Sequence, residues 1–517
     1  MKNKVIYLAI LAAGFASCEP EFENELSNGN YSAGDADFSS YVAIGNSLTS
    51  GYMDGTVSRV GQSYSFPNIL AQQFALVGGG EFTQPSYAED TNNLGGISGI
   101  PGFPTRLVID ASAGGPEPIA GMSTVTLTPQ ASAFNNMGVP GAKTFHLLAA
   151  GYGNPAGLAQ NPPMANPYYV RMATSTTSTV LGDAMMKNPT FFTNWIGNND
   201  VLGYATSGGT GSTAGLGGAD ITPAPVFDQS YNMIINTLTS GGAKGVVATI
   251  PNVTAIPFFT TVPYNPLTAS AIGGGNEANG TALINQLNAS LIGPVKQVLT
   301  AFGQGDRLQL LSTTEANPLL IKDETLTNMQ PQLTGALTAA GVPAQQAALI
   351  GMIFGQARHA TSQDLVLLTT RSVIGTAPSS PLAIDPLNKY GVTYPLDDQH
   401  VLIASEVADV TAATTTFNNI IRTAAQAKGL GVVDMNAIMN QLVSGLRVED
   451  GSIYTANYFS TATLSTVMFS LDGIHPNARG YALIANEVIK VINSHYNAKL
   501  PFVSAGSYPG ATVLPSN

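Results

Sequence analysis

Serine, histidine and aspartate residues that could act together on an acyl group stand near the two ends of the chain. Ser47 lies between glycines in the segment from Ile44 to Gly51, and Asp472 precedes His475 by three positions. In acyl transfer a hydroxyl attacks the carbonyl carbon, an imidazole takes the proton and a carboxylate orients the imidazole. Each pattern also has a plain structural interpretation, because turns and helix caps use the same residues.

Two further segments contain groups that could stabilise a developing oxyanion. The segment from Trp195 to Asp200 ends in Gly-Asn-Asn-Asp, where the side-chain amide of Asn199 is a donor. The segment from Asn136 to Ala142 is predicted to be a turn leading into a helix, which leaves the N–H of Gly141 free to donate. Donors held in place stabilise the oxyanion of a tetrahedral intermediate. An ordinary Asn-rich turn is the competing interpretation of the first segment.

In this order, the four segments resemble the blocks of the SGNH hydrolase superfamily, also called the GDSL esterase and lipase family. The specific matches are Gly-x-Asn-Asp at 197–200 and Asp-x-x-His at 472–475. One residue departs from the family pattern, because Asn46 precedes the serine where the family usually has aspartate. The matching blocks cover only parts of the chain.

The resemblance implies a role for each matching residue. Ser47 is expected to be the nucleophile, His475 the general base and then acid, and Asp472 the group that orients the imidazole. The Ser47 N–H, the Gly141 N–H and the Asn199 side chain are expected to form the oxyanion hole. The family uses no metal and no cofactor, so none is expected here.

The elements that must hold these residues follow from the apolar pattern. The run from Tyr41 to Ile44, ended by Gly45, is typical of a buried parallel strand. Similar apolar runs occur at Phe191–Ile196, Gly245–Ile250 and Gly431–Asp434. Helical patterns occur at Tyr231–Leu238, Thr411–Ala427 and Tyr481–Ile492. This alternation predicts an α/β fold with a parallel sheet, in which ligands bind at the carboxyl ends of the strands. The family resemblance implies a three-layer α/β/α sandwich with a flavodoxin-like sheet.

We expect one hydrolase domain over residues 39–500, interrupted by two insertions. Residues from about 78 to 130 are rich in Gly, Pro and Thr and carry one weak strand signal at Met122–Leu127. Residues from about 265 to 400 have helical patterns, notably Thr281–Phe302 and Ala344–Ala357. The apolar run Ala347–Phe354 is either helix core or the lining of an acyl-chain groove beneath a cap. Residues 501–517 are expected to be an exposed C-terminal tail.

A second Asp-x-x-His, from Asp397 to His400, competes with the first. It precedes the last predicted strand, which is the wrong place for the family triad, so we expect it to be a loop before the following helix. The scattered His146, His359 and His495 have no metal-ligand spacing, and no metal site is predicted.

Composition excludes one class of partner. The chain has 517 residues, of which 10% are charged, and a net charge of -12. Nucleic acid is therefore not expected as a partner, because binding phosphate requires a basic patch.

The N-terminus predicts export. Residues 1–17 have a positive start, an apolar run too short to span a bilayer and small residues after it, as in a signal peptide. Cys18, the only cysteine, ends a segment that resembles a bacterial lipobox, so acylation of its sulfur would anchor the protein to a membrane. Cleavage after Ala16 is the alternative. Residues 18–38 form an acidic tether that resembles the surface-export signal of Bacteroidetes lipoproteins, or else a plain solvated linker.

These features together predict an extracytoplasmic serine ester hydrolase at the outer membrane or cell surface, or in the periplasm or medium if Cys18 is not acylated. Its substrate is expected to be a small-molecule, lipid or glycan ester. A carbohydrate O-acetyl esterase would use the same triad. A non-catalytic surface-binding lipoprotein on this scaffold is the alternative from another class.

Overall fold

Five parallel strands form the central sheet in a computed structural model that describes residues 30–110, 115–448, 451–460 and 466–513. In chain order they are β1 (Tyr41–Gly45), β2 (Asn136–Gly138), β3 (Phe191–Trp195), β4 (Lys244–Ala248) and β5 (Gly431–Val433). Their order across the sheet is β2-β1-β3-β4-β5, and every neighbouring pair is parallel. The prediction of an α/β fold with a parallel sheet is confirmed.

The edge strand β2 is the one element of the sheet that the sequence did not predict. Its three residues, Asn-Met-Gly, carry no apolar run, and the segment was expected to be only a turn before a helix. Pairing with β1 decides its conformation, and the side chain of Asn135 reinforces this by donating to Tyr41 O at 2.7 Å. A 3₁₀ helix, Thr144–Leu148, follows it.

Helices connect these strands and cover the sheet. The α-helices of the described residues are α1 (Ser47–Ser50), α2 (Arg59–Ser63), α3 (Phe66–Ala75), α4 (Pro167–Met172), α5 (Val180–Met185), α6 (Asn199–Thr206), α7 (Ala224–Leu238), α8 (Pro257–Thr260), α9 (Ala269–Ile272), α10 (Glu277–Leu287), α11 (Gly293–Ala301), α12 (Gln330–Ala339), α13 (Ala344–Phe354), α14 (Ala404–Lys428), α15 (Met435–Ser444) and α16 (Ala478–His495). The pair α3 and α16 packs together, as does the pair α7 and α14, and both pairs contact the sheet. None of these helices is long and apolar enough to cross a membrane.

Helices α10 to α13 form a lobe with its own apolar core, outside the sheet. The run Ala347–Phe354 belongs to α13, and Phe354 is fully buried in this core. None of the run lines either cavity described below, so among the described residues it acts as helix core and not as an acyl-chain groove. Short antiparallel pairs complete the fold: Leu107–Asp110 with Gly115–Pro118, Leu320–Lys322 with Ala357–His359, Leu365–Val366 with Val401–Leu402, and Leu446–Arg447 with Ile453–Tyr454. The weak strand signal at 122–127 was wrong, since that segment is irregular.

Both ends of the described chain pack on the domain. Phe38 stacks on Phe74 with ring centroids 3.9 Å apart, and Ser32 bridges to Lys499, so residues 32–38 belong to the domain and not to a tether. Residues 501–513 are not an exposed tail, because Ile109 N donates to Thr512 O at 3.0 Å. The predicted signal peptide, Cys18 and the acidic tract lie outside the described residues.

Candidate active site

Ser47 is the first residue of α1, directly past the carboxyl end of β1. The turn is tight, because a Cβ on Gly45 would lie 2.2 Å from the hydroxyl oxygen of Thr49. Only glycine therefore lets α1 fold back on the end of the strand. Asn46 caps the helix, its side-chain oxygen accepting a hydrogen bond from Leu48 N at 3.0 Å.

The amide of Asn46 also makes a hydrogen bond that a carboxylate at this position could not make. Its Nδ2 donates to Oδ1 of Asn198 at 3.3 Å, and both side chains are buried. An aspartate has no N–H to donate there. The bond ties the Ser47 turn to the neighbouring turn that carries Asn199.

The side chains of Ser47, His475 and Asp472 form one continuous hydrogen-bonded chain. His475 Nε2 lies 2.9 Å from Ser47 Oγ, and His475 Nδ1 lies 2.8 Å from Asp472 Oδ2. With the proton on Nδ1, the ring donates to the carboxylate and accepts from the hydroxyl. This is the arrangement in which an imidazole can take the proton of a serine.

Five hydrogen bonds hold the Asp472 carboxylate. Its Oδ1 accepts from Ser470 Oγ at 3.0 Å and from the N–H groups of Ile474 and His475, both at 2.9 Å. Its Oδ2 accepts from Gly55 N at 3.1 Å in addition to the imidazole. Burial opposes ionisation, but His475 and the backbone donors outweigh it and hold the pKa of Asp472 below its ordinary value. Asp472 is therefore a fixed anion next to the imidazole.

The Asp54-Gly55 turn supports this loop, and sequence analysis missed it. Asp54 has a φ of 54°, its N–H donates to Ser470 Oγ at 3.0 Å, and its Oδ1 accepts from Leu471 N at 3.0 Å. Burial raises the pKa of Asp54 to about 6, although the hydrogen bond from Leu471 works in the other direction. An Asp-Gly dipeptide signals a turn, but nothing local in the sequence shows that this turn contacts a loop more than 400 residues away.

The helix after His475 begins at Ala478, two residues after Pro476. Asn477 is the cap of α16, and its Oδ1 accepts from Gly480 N at 2.9 Å. Pro476 lies directly before the cap and outside the first turn. The backbone also ties the segment before Asp472 to the N-terminus of α16, because Asn477 N donates to Met468 O at 2.9 Å.

The three predicted oxyanion donors lie around one cavity. Ser47, Gly141 and Asn199 all line it, and Gly141 has a φ of 78°, which favours glycine. Asn199 Nδ2 donates to Ala142 O at 2.9 Å, which holds the amide in place and leaves it a second N–H. Among the described residues, the N–H groups of Ser47 and Gly141 have no acceptor within the protein.

Asp200 joins the two segments that carry Gly141 and Asn199. Its Oδ2 accepts from Thr144 N at 2.9 Å and from Thr144 Oγ1 at 2.8 Å. The carboxyl group is fully buried at the start of α6, and Lys143 is the nearby cation. Burial raises the pKa of Asp200 to about 6, against the hydrogen bonds from Thr144. Asp200 is a positioning residue, whose role the motif alone does not reveal.

Asp200→Asn should remove one pH-dependent part of the stability. The unfolded aspartate ionises near pH 3.8 and the folded one near 6, so the wild type loses stability relative to the variant as the pH rises through this interval. The expected loss is on the order of 3 kcal/mol, complete above about pH 6. Urea unfolding of both proteins from about pH 4 to pH 8 measures it. If the free energies of unfolding of the two proteins change with pH in parallel, the pKa of Asp200 is not raised in the folded protein.

The competing Asp-x-x-His has other partners. His400 Nδ1 lies 3.4 Å from Thr370 Oγ1, and the Asp397 carboxylate accepts from Tyr390 OH at 2.7 Å. The segment forms a 3₁₀ turn and then a short strand before α14.

The remaining histidines are packed or bonded elsewhere. His146 stacks on Tyr152, His359 accepts from Gln309 N and His495 lies 2.9 Å from Gly429 O. In the part of the chain that the structure describes, His, Cys, Asp and Glu side chains form no group of three or more that could hold a metal ion.

Two cavities of different character meet at Ser47 and His475. One has a volume of about 110 Å³, is partly open to solvent, and is lined mostly by Leu, Ile, Val and Met side chains. The other has a volume of about 330 Å³, is more open, and is lined by Tyr52, Phe103 and Tyr168 together with polar residues. An ester whose carbonyl carbon lies at Ser47 would extend one arm into each cavity.

The chemistry available at this site follows from its geometry. A serine hydroxyl hydrogen-bonded to an oriented imidazole, beside unpaired N–H groups and an amide, can attack a carbonyl carbon and stabilise the resulting oxyanion. Comparisons of the chain with protein-family models, with curated proteins and with solved structures give no match.

Proposed function

We propose that this protein is a serine ester hydrolase of the SGNH type. Ser47 is the nucleophile, His475 the general base and then acid, and Asp472 the group that orients the imidazole. One observation carries the proposal, namely the hydrogen-bonded chain with 2.9 Å from Ser47 Oγ to His475 Nε2 and 2.8 Å from His475 Nδ1 to Asp472 Oδ2. These distances lie within the range required of a nucleophile and its base.

The proposed reaction has two balanced steps and uses no metal or cofactor. Ser47 Oγ bonds to the carbonyl carbon while its proton passes to His475 Nε2. The carbon–oxygen bond to the alcohol then breaks, and the same proton passes to the departing alkoxide. In the second step His475 takes a proton from water, the hydroxide attacks the acyl-enzyme, and the proton returns to Ser47 as the carboxylic acid leaves.

The strand order supports this location for the site. The order β2-β1-β3-β4-β5 is that of flavodoxin-like doubly wound sheets, and it reverses between β1 and β3. Ser47 follows β1 and Asn199 follows β3, so both lie at the point where such sheets bind their ligands. We propose the flavodoxin-like α/β/α sandwich as the fold of the hydrolase domain on this basis.

We propose that the Ser47 N–H, the Gly141 N–H and the Asn199 side chain form the oxyanion hole. Asn199→Ala should then lower turnover by about 100- to 1000-fold, because the amide stabilises charge that develops only in the transition state. The KM should change little by comparison. Steady-state hydrolysis of a p-nitrophenyl ester by wild type and variant measures both constants.

Asn154→Ala is a matched control for this variant. Asn154 is also a half-buried asparagine with a side-chain hydrogen bond, accepting from Ala156 N at 3.1 Å, but it lines neither cavity. It should keep the turnover of the wild type. An Asn199→Ala protein that is folded and as active as this control would contradict the assignment.

We further propose that the protein is an extracytoplasmic lipoprotein anchored through Cys18. The support is the signal-like segment 1–17, the lipobox-like residues before Cys18 and the acidic residues after it. Mass spectrometry of the N-terminal peptide from cell-derived protein tests this. An acylated cysteine supports it, and cleavage after Ala16 or an unmodified Cys18 contradicts it.

Labelling with a small fluorophosphonate tests the enzymatic proposal directly. The expected result is one modified residue, Ser47, in the wild type and no modification in Ser47→Ala. Folded wild-type protein that takes up no label would overturn the proposal and favour a non-catalytic binding protein.

A further inference from the structure

The apolar cavity beside Ser47 has polar groups only at its catalytic end. The polar side chains that line it are Ser47, Asn198, Asn199 and His475, and no Asp, Glu, Lys or Arg is among the described residues around it. Beyond this end the walls are formed by α15, by α16 and by the loop after β4. The cavity is therefore a hydrophobic compartment entered from the reacting atoms.

This lining excludes a polar occupant. A sugar ring or charged head group placed between α15 and α16 would lose its hydrogen bonds to water and find few partners. An acetyl group would contact only the catalytic end and leave the apolar walls uncovered. Met435, Met439 and Met468 lie among the lining residues. Their flexible side chains suit a hydrocarbon chain of variable shape.

The second cavity is suited to the alcohol part of an ester. It is more open, and its lining includes Thr206 and Gly141, whose N–H has no acceptor within the described part of the protein. An ester with its carbonyl carbon at Ser47 has two arms, and the hydrophobic arm gains most from the apolar compartment. The more polar alcohol arm then faces the open cavity.

We propose that the cavity between α15 and α16 is an acyl-chain site, and that the enzyme acts on esters of medium- or long-chain fatty acids. This inference rests on the proposed function and names its substrate class. It separates a fatty-acyl ester hydrolase from a carbohydrate O-acetyl esterase, which the triad alone does not do.

A panel of p-nitrophenyl esters with a constant alcohol tests the acyl site. Each buried methylene should raise kcat/KM by about two- to fourfold, so the six additional methylenes of octanoate should raise it about 60- to 4000-fold over acetate. The ratio of kcat/KM for octanoate to that for acetate does not depend on the concentration of active enzyme, because both values come from the same preparation. Equal kcat/KM values for the two esters would overturn the inference.

Ile438→Trp locates the effect in the cavity. Ile438 is half-buried on α15 and lines the compartment, and a tryptophan there should fill part of it and lower the octanoate-to-acetate ratio at least about tenfold. Val443→Trp is the control, because Val443 lies on the same helix, is 55% exposed and does not line the cavity. It should leave the ratio unchanged.

The outcomes separate this inference from the proposed function. Fluorophosphonate labelling of Ser47 is measured on the same preparations, and circular dichroism shows whether each variant is folded. If Ile438→Trp does not fold, Ile484→Trp fills the cavity from the α16 side. Suppose that wild type and variant are folded and labelled but have the same octanoate-to-acetate ratio. This result overturns the acyl site and leaves the proposed function intact. The acyl site is also overturned if the tryptophan changes the preference among octanoate esters of different alcohols but not the preference among acyl chains. Absence of labelling overturns both.

Discussion

Ser47→Ala is expected to lower the turnover of esters by about 10⁴- to 10⁶-fold, nearly as much as removal of all three triad side chains would. In the proposed mechanism this hydroxyl forms the acyl-enzyme, and its oxygen makes the 2.9 Å contact with His475 Nε2. The binding cavities and the oxyanion donors remain in the variant. KM should therefore change far less than kcat. Hydrolysis of a p-nitrophenyl ester at high enzyme concentration measures the residual rate.

Ser50→Ala is the matched control for this prediction. Ser50 is a buried serine on the same short helix, and its Oγ donates to Ser47 O at 2.9 Å. Its loss disturbs the packing of α1 without touching the imidazole. Ser50→Ala should stay labelled and active. If Ser47→Ala is folded and hydrolyses esters at the wild-type rate, Ser47 is not the nucleophile.

Asp472→Asn should reduce turnover by about 10⁴-fold while preserving the fold. If the NH₂ group of the asparagine took the position of Oδ1, it would face the N–H groups of Ile474 and His475, which donate to Oδ1 at 2.9 Å in the wild type. The amide therefore keeps its oxygen on that side and turns its NH₂ toward Gly55 N and His475 Nδ1. His475 must then accept on Nδ1 and carry its proton on Nε2, where it can no longer take the proton of Ser47.

The measurement is kcat together with the unfolding midpoint in urea. Asp54→Asn is the control, because Asp54 holds the same loop through Leu471 N at 3.0 Å but does not contact the imidazole. Asparagine also tolerates the positive φ of this residue. A folded Asp472→Asn protein no less active than Asp54→Asn would show that Asp472 does not set the histidine tautomer.

The strongly apolar strands were predictable from the sequence, and the weakly patterned one was not. Strands β1, β4 and β5 are mostly apolar, and β3 begins with two phenylalanines and ends with a tryptophan, as expected where both faces of a parallel sheet are buried. Strand β2 has an asparagine and a glycine in three residues and is extended only because β1 lies beside it. The same reason explains residues 32–38 and 501–513, which were expected to belong to an acidic tether and to an exposed terminal tail, although both segments pack on the domain.

The candidate site divides in the same way. Ser47, Asp472, His475, Gly141 and Asn199 were proposed because their four segments, in this order, resemble the SGNH blocks, while each segment taken alone also fits a turn or a helix cap. The supporting residues Asp54 and Asp200 were not, because their effect depends on a loop or turn brought to them by the fold.

By itself, the sequence determined the α/β fold class with its parallel sheet, because strand and helix patterns are local properties. The resemblance of four segments to a known family added five candidate site residues. Only the tertiary structure decided that the hydroxyl of Ser47 lies 2.9 Å from an imidazole 428 residues away. It also decided that a hydrophobic compartment lies between α15 and α16. Both depend on the path of the whole chain, since the free energy that brings distant segments together comes from burying the apolar surface of every layer at once.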